Sequence, residues 1–172
     1  MKLRELKFQD ADRMIEWIHD PFVVEKLRTD FSRKTKEDCL SFIENSRDDK
    51  NFNLAITDDD DVYMGTVSLK HITSRSAEFA ITVHRAAMGK GYALWAMKEM
   101  LDLGFKEYHI NEIYWCVAKD NLRALKFYDK NGFGRIDYEE LSISDDYSLS
   151  QIKSYVWYRI TANDYLEDLC KL

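Results

Sequence analysis

Between residues 51 and 84 the apolar pattern has a period of two, and on both sides of that stretch the period is helical. "NFNLAIT" (51–57), "VYMGTVSLKHI" (62–72) and "SAEFAITVH" (76–84) each read as strands whose side chains alternate between two faces. The links between them, Asp58–Asp61 and "ITSRS" (72–76), leave room only for turns. Strands joined this closely pair antiparallel, because a parallel neighbour requires a crossover of a dozen or more residues. The aspartate run lacks the glycine and closing glutamate of an EF-hand loop, so it reads as a solvated hairpin turn.

Around this block the other elements follow from period and capping. "KLRELK" (2–7) is a first strand, and Asp10 is placed to cap a helix over "ADRMIEWIHD" that Pro21 ends or re-aims. A second helix is expected over 35–48, with Thr35 as cap, Asp38 completing a capping box, and Leu40, Phe42 and Ile43 facing inward. A helix through about residue 108 presents Ala93, Ala96, Met97, Met100, Leu101 and Phe105 on one face. "EIYWCVA" (112–118) is a buried strand, 121–133 a helix ending at Gly132, 134–143 and 151–161 two further strands, and "TANDYLEDLCKL" a closing helix. At 172 residues, without repeats or low-complexity segments, one domain over 1–172 is expected.

Charge and composition narrow the partners. The formal net charge is −6, and a phosphate backbone needs a dense basic stripe, so nucleic acid is not an expected partner. No apolar run reaches the roughly 18–20 residues of a membrane span, and the charged N-terminus shows no secretory signal, which places the chain in the cytoplasm. Cys39, Cys116 and Cys170 have no ligand spacing and read as reduced thiols; the four histidines likewise imply no metal. Two local basic patches stand out: Arg85, Lys90 and Lys98, then Lys119, Arg123, Lys126, Lys130 and Arg135.

Within the first patch, Gly89-Lys90-Gly91 stands between a strand and a helix. The first N–H groups of a helix have no acceptor inside it, and glycines let a bulky anion approach them. A phosphate or pyrophosphate suits that place, with Lys90 and Arg85 adding charge; a plain tight connection is the alternative. A P-loop does not fit, because the lysine lies between the glycines and Tyr92 follows. A dinucleotide fingerprint does not fit either, because Leu94 occupies the third glycine position.

The order β-α-α-β-β-β-α-β-α-β-β, with "MGKGYA" opening the central helix and "NLRALKFYDKNGF" about thirty residues later, resembles the GNAT superfamily of acyl-CoA N-acyltransferases. The opening "LRELKFQDADRMIEWIHDPFV" is similar to the branch holding ribosomal-protein N-terminal, spermidine and amino-sugar acetyltransferases. The family's [QR]-x-x-G-x-[GA] loop falls on Met88, Gly89, Lys90, Gly91, Tyr92 and Ala93, with Met88 replacing the usual Gln or Arg. The later pattern matches in full at Asn121, Ala124, Tyr128, Lys130, Gly132 and Phe133.

The resemblance implies an α/β (α+β) fold: a central mixed, mostly antiparallel seven-stranded sheet flanked by helices. It implies acetyl-CoA as cosubstrate, its pantetheine arm laid along Ile81, Thr82 and Val83 and its pyrophosphate on Gly89–Ala93. Asn121 would orient the arm or cap its helix. Lys130 belongs to the same set of cofactor-binding positions, and Tyr128 matches the family's acid for the leaving thiolate. Glu78 is the candidate for receiving the amine's proton or anchoring the ammonium; alternation sets it with Ala80 and Thr82, away from Phe79, Ile81 and Val83. Its alternative is an ordinary polar residue on an exposed strand face. Cys116 reads as core. The expected acceptor is a small-molecule amine, with a nucleotide-linked amino sugar first and protein N-termini or polyamines as alternatives. Trp17, Phe22, Phe31 and Trp157 are candidates to line its pocket. A non-catalytic acyl-CoA sensor is the reading from another class. "YVWYRI" (155–160) is compatible with a core strand or with a homodimer interface.

Overall fold

A computed structural model describes residues 1–169, with side chains through Tyr165; Cys170 lies outside the described residues. The strands are β1 (Lys2–Glu5), β2 (Phe52–Thr57), β3 (Tyr63–Lys70), β4 (Ser76–Val83), β5 (Glu112–Ala118), β6 (Arg135–Ile136) and β7 (Tyr155–Thr161). They form one seven-stranded sheet in the order β1-β2-β3-β4-β5-β7-β6, and only the β4–β5 pair is parallel. The expected mixed, mostly antiparallel sheet is therefore what the chain builds.

The helices are α1 (Ala11–Ile18), α2 (Pro21–Val24), α3 (Lys36–Glu44), α4 (Tyr92–Lys106), α5 (Leu122–Lys130), α6 (Leu149–Ser154) and α7 (Ala162–Leu169). One face of the sheet packs under α4 and α5, where Met97, Met100, Leu101, Ile113, Trp115 and Tyr158 are almost fully buried. The other face packs under α1 and α3 through Met14, Trp17, Ile18, Cys39 and Ile43. Beside them the segment between β6 and β7 covers Tyr114 and Trp157.

Several local expectations change. Asp10 does not cap α1; its carboxylate accepts from Arg4 at 2.7 and 2.8 Å and from the Lys7 N–H, and only 3% of it is exposed. Arg4 also binds Asp61 of the aspartate turn, so this buried pair ties β1 to the β2–β3 hairpin. Asp58 closes that turn by accepting from the Asp60 and Val62 N–H groups. Pro21 opens α2, with Asp20 as its cap. Thr35 and Asp38 do form the capping box of α3, but Phe42 is exposed and Cys39 takes the inward place. The strand expected over 134–143 shrinks to Arg135–Ile136, and 151–154 is helical, because Ser148 and Gln151 form a capping box that starts α6. Trp157 and Tyr158 are buried in β7, the core-strand reading of "YVWYRI".

Gly65 permits the close approach of β3 to β4: a Cβ there would lie 2.5 Å from the Thr82 carbonyl oxygen and 2.9 Å from the Val83 Cα. Backbone cannot yield as a side-chain tip can. Gly65→Ala is expected to lower stability by about 2 kcal/mol, measured by urea unfolding.

Candidate active site

The parallel register of β4 and β5 runs only from Ser76↔Glu112 to Glu78↔Tyr114. Beyond it the strands part, while β4 stays paired to β3 through Val83 and β5 to β7 through Ala118. The wedge begins where Phe79 and Trp115 stand side by side, their rings edge-on at 5.9 Å. Across the hairpin the His84 N–H donates to the Met64 carbonyl at 2.7 Å. Backbone groups of an antiparallel strand alternate in direction, so even-numbered residues turn theirs to β3 and Phe79, Ile81 and Val83 turn theirs into the wedge. Of the three positions expected to hold a pantetheine arm, Ile81 and Val83 offer free backbone groups. Thr82 spends its own on β3.

At the mouth of the wedge the chain enters α4 through Gly89 (φ 73°) and Gly91 (φ 86°). Both lie in the left-handed region, which glycine adopts without penalty. Gly91 is the N-cap and has no side chain to cap with, and among the described residues no acceptor meets the N–H groups of Gly91, Tyr92, Ala93 and Leu94. Four free donors at the positive end of a fifteen-residue helix make an anion seat. Lys90 is exposed beside it and has no ion pair among the described residues. Arg85 is already engaged, 3.5 Å from Asp20 and stacked over Phe22. Met88 packs against the apolar cluster under α1 and lies 3.5 Å from the Arg123 guanidinium, whose other face covers the same Phe22 ring.

Tyr128 and Asn121 come from α5. Asn121 caps the helix by accepting from the Ala124 N–H at 3.2 Å. Tyr128 packs among Trp115, Phe127, Phe133 and Tyr158. Burial pushes its hydroxyl well above the usual tyrosine range. Among the described residues the hydroxyl has no hydrogen-bond partner, yet it is not one of the sealed orphan atoms found there, Glu78 Oε2 and Trp115 Nε1. Lys130 is exposed in the last turn of α5, and no hydrogen bond joins it to the other positions among the described residues.

On the opposite sheet face a cavity of about 300 Å³ lies between α1, α3 and the β3–β4 hairpin. Trp17, Phe31 and Phe42 give it aromatic walls; Thr66, Ser68, Lys70, Ala80 and Thr82 give it a floor. It therefore shares the β4 wall with the wedge. Trp17 and Phe31 are where the sequence places them, but Phe22 stands outside between two arginines and Trp157 is buried against Tyr114 and Tyr147.

Glu78 is not on an exposed strand face. It is 6% exposed, at the apex of the wedge, and its Oε1 accepts from the Tyr147 hydroxyl at 2.5 Å. Around it lie Lys70, whose ammonium is pushed down by burial, and His71, with Nε2 3.5 Å from Glu78 Oε2. Cys116, its thiol pushed up to about 12 by burial, touches Tyr147. Tyr147, Lys70 and His71 carry no motif. A lysine opposite a glutamate across a short turn is the available signal for Lys70; Tyr147 has none, since it lies between the two expected strands, 134–143 and 151–161. Among the described residues no cluster of His, Cys, Asp or Glu could hold a metal ion.

A family model for the GNAT acetyltransferase domain matches residues 1–134. The acetyltransferase PseH of Campylobacter jejuni is 26% identical over 136 residues, covering 79% of this chain and 84% of its own. The spermidine N(1)-acetyltransferase of Escherichia coli K12 is 37% identical over 67 residues, covering 39% of this chain and 36% of its own. In structure, the spermidine N-acetyltransferase of Vibrio cholerae, solved with CoA and spermine, superposes with a TM-score of 0.75 at 23% identity, over 96% of this chain and 97% of that one.

A Cβ on Gly91 would meet no protein atom within 4 Å. Gly91→Ala should therefore cost stability only the backbone strain, about 1 kcal/mol. Its affinity for CoA, measured by calorimetry, should fall by an order of magnitude or more, because the anion seat tilts. Unchanged affinity would remove the seat from this turn.

Proposed function

The chain belongs to the GNAT acetyltransferase family, and from that premise we propose that it moves the acetyl group of acetyl-CoA directly onto the primary amine of a small acceptor, a nucleotide-linked amino sugar. Acetyl-CoA is the family's cosubstrate and supplies the activated acetyl group. The residues present fit it: the free N–H groups at the start of α4 suit a pyrophosphate, and the open edge of Ile81 and Val83 suits an extended arm.

The observation that carries the reading is the convergence of wedge, cavity and Glu78 on one stretch of β4. An alkylamine is mostly protonated near neutrality and attacks only after losing a proton. Glu78 Oε2 is buried, unpartnered and at the wedge apex, which suits it to take that proton or to hold the ammonium. A free N–H on the open edge of β4, from Ile81 or Val83, polarises the thioester carbonyl, and Tyr128 protonates the departing sulfur. Burial keeps the Tyr128 hydroxyl protonated, the form an acid requires.

The acceptor's chemistry follows from the charges on its side. Lys34 and Lys70 line the cavity, and its acid, Asp38, lies 3.3 Å from Lys34. A polycation would meet two ammonium groups there, whereas a phosphate-bearing amino sugar would find counter-charges and aromatic walls. The polyamine reading keeps support from the spermidine acetyltransferase likeness.

Thiol release measured with acetyl-CoA and a panel of amines tests the assignment. UDP-linked amino sugars are expected to outpace spermidine; CoA binding without turnover on any amine would leave a sensor instead. Tyr128→Phe should slow turnover about 10- to 100-fold without changing the KM for acetyl-CoA, a modest loss because a thiolate leaves readily. Since the raised hydroxyl stays protonated as pH increases, the wild-type rate should show no alkaline fall from Tyr128 up to about pH 9.5. A limb near pH 8 that Tyr128→Phe abolishes would contradict that.

A further inference from the structure

Acetylation of an alkylammonium by a thioester yields an amide, a thiol and one proton. Of the two protons the nitrogen loses, one balances the proton Tyr128 gives to sulfur. The other, taken by Glu78, has to reach solvent before the next cycle. Glu78 is 6% exposed, so this second proton needs a path.

One side of the carboxylate is closed. Oε1 accepts from Tyr147, and Tyr147 in turn lies 3.6 Å from the Cys116 thiol. Burial holds both hydroxyl and thiol in their protonated forms, and Tyr114 on β5 likewise, pushed up to about 12. The Tyr147 proton is directed at Oε1, and behind it lies the Cys116 thiol rather than water, so this side offers no short way to solvent. Lys70 lies on the cavity side, where the proton originated, and Arg28 is a fixed cation over the Tyr147 ring at 4.2 Å. The other side is open. Oε2 has no hydrogen bond, and His71 Nε2 stands 3.5 Å from it. The same nitrogen is 3.5 Å from Asp146 Oδ2. Side-chain exposure rises along the series from 8% at Glu78 to 26% at His71 and 63% at Asp146.

We propose that His71 and Asp146 are the proton exit of the active site, with His71 taking the proton from Glu78 Oε2 and releasing it past Asp146 to water. The O–H bond on Glu78 breaks as an N–H bond forms on His71, and the carboxylate is regenerated without any further reactant. Imidazole is the side chain best suited to both steps near neutral pH. His71 also sits at φ 50°, in the turn that follows β3.

The inference rests on Glu78 as the proton acceptor, and two variants separate the two claims. Asparagine adopts the left-handed region readily, so His71→Asn keeps the turn and removes the carrier. Thiol release is measured with acetyl-CoA and each of spermidine and a UDP-linked amino sugar, in rising imidazole. His71→Asn is expected to lose about tenfold in kcat at low buffer, to recover as imidazole rises, and to keep its KM for acetyl-CoA; the wild type should be insensitive to imidazole. If Glu78→Gln is slow while His71→Asn runs at the wild-type rate in low buffer, the exit is refuted and the role of Glu78 stands. If Glu78→Gln runs at full rate, the role of Glu78 falls and the exit with it. Lack of turnover by the wild type on both amines counts against both.

Discussion

Everything at the site depends on β4 and β5 separating after three paired residues. A sheet normally satisfies its interior backbone groups by continuous pairing. Here the pairing stops at Glu78↔Tyr114, and Phe79 and Trp115 come next, two bulky rings on the face that α4 and α5 cover. Stacking of Trp115 on Tyr158 and its contacts with Tyr128 and Phe133 fix that ring from every side. The unpaired edge is thus held open by a packed core, and it leaves backbone donors free for a ligand.

The two sheet faces divide the chemistry. Under α4 and α5 the sheet face is covered by aromatic and aliphatic carbon, Tyr128 among it. On the other face Lys70, His71, Glu78, Arg28 and Tyr147 gather at the wedge apex. Charges gathered out of water cost free energy unless each meets a partner, and the contrast with Arg4 and Asp10 is instructive. That pair is fully satisfied and ties down an edge strand. The group around Glu78 is left incomplete at Oε2 among the described residues, the kind of unsatisfied buried group that calls for an explanation.

The fold was legible because its determinants are local. Alternation in 51–84, the Thr35–Asp38 capping box, the Asn121 cap and the positive-φ glycines each act over a few residues. The stretch from 134 to 154 was not legible. Its alternating apolar residues serve a loop that lies over Tyr114 and Trp157, and no local period distinguishes that from a strand. Tyr147, between the two expected strands, was hidden for another reason: its contact with Glu78 spans 69 residues of sequence. For Arg85 the charge is visible in the sequence, but the contacts with Asp20 and Phe22 are not.

Met88 takes on a different meaning once Arg123 and Phe22 are seen to pack around it. Its side chain braces the α1–α2 wall against α5, and the donors at the start of α4 are peptide groups. A cradle of N–H groups has no chemical preference among the residues that carry them, provided their dihedral angles are kept. Along 88–94, inheritance would therefore constrain backbone shape more tightly than residue identity.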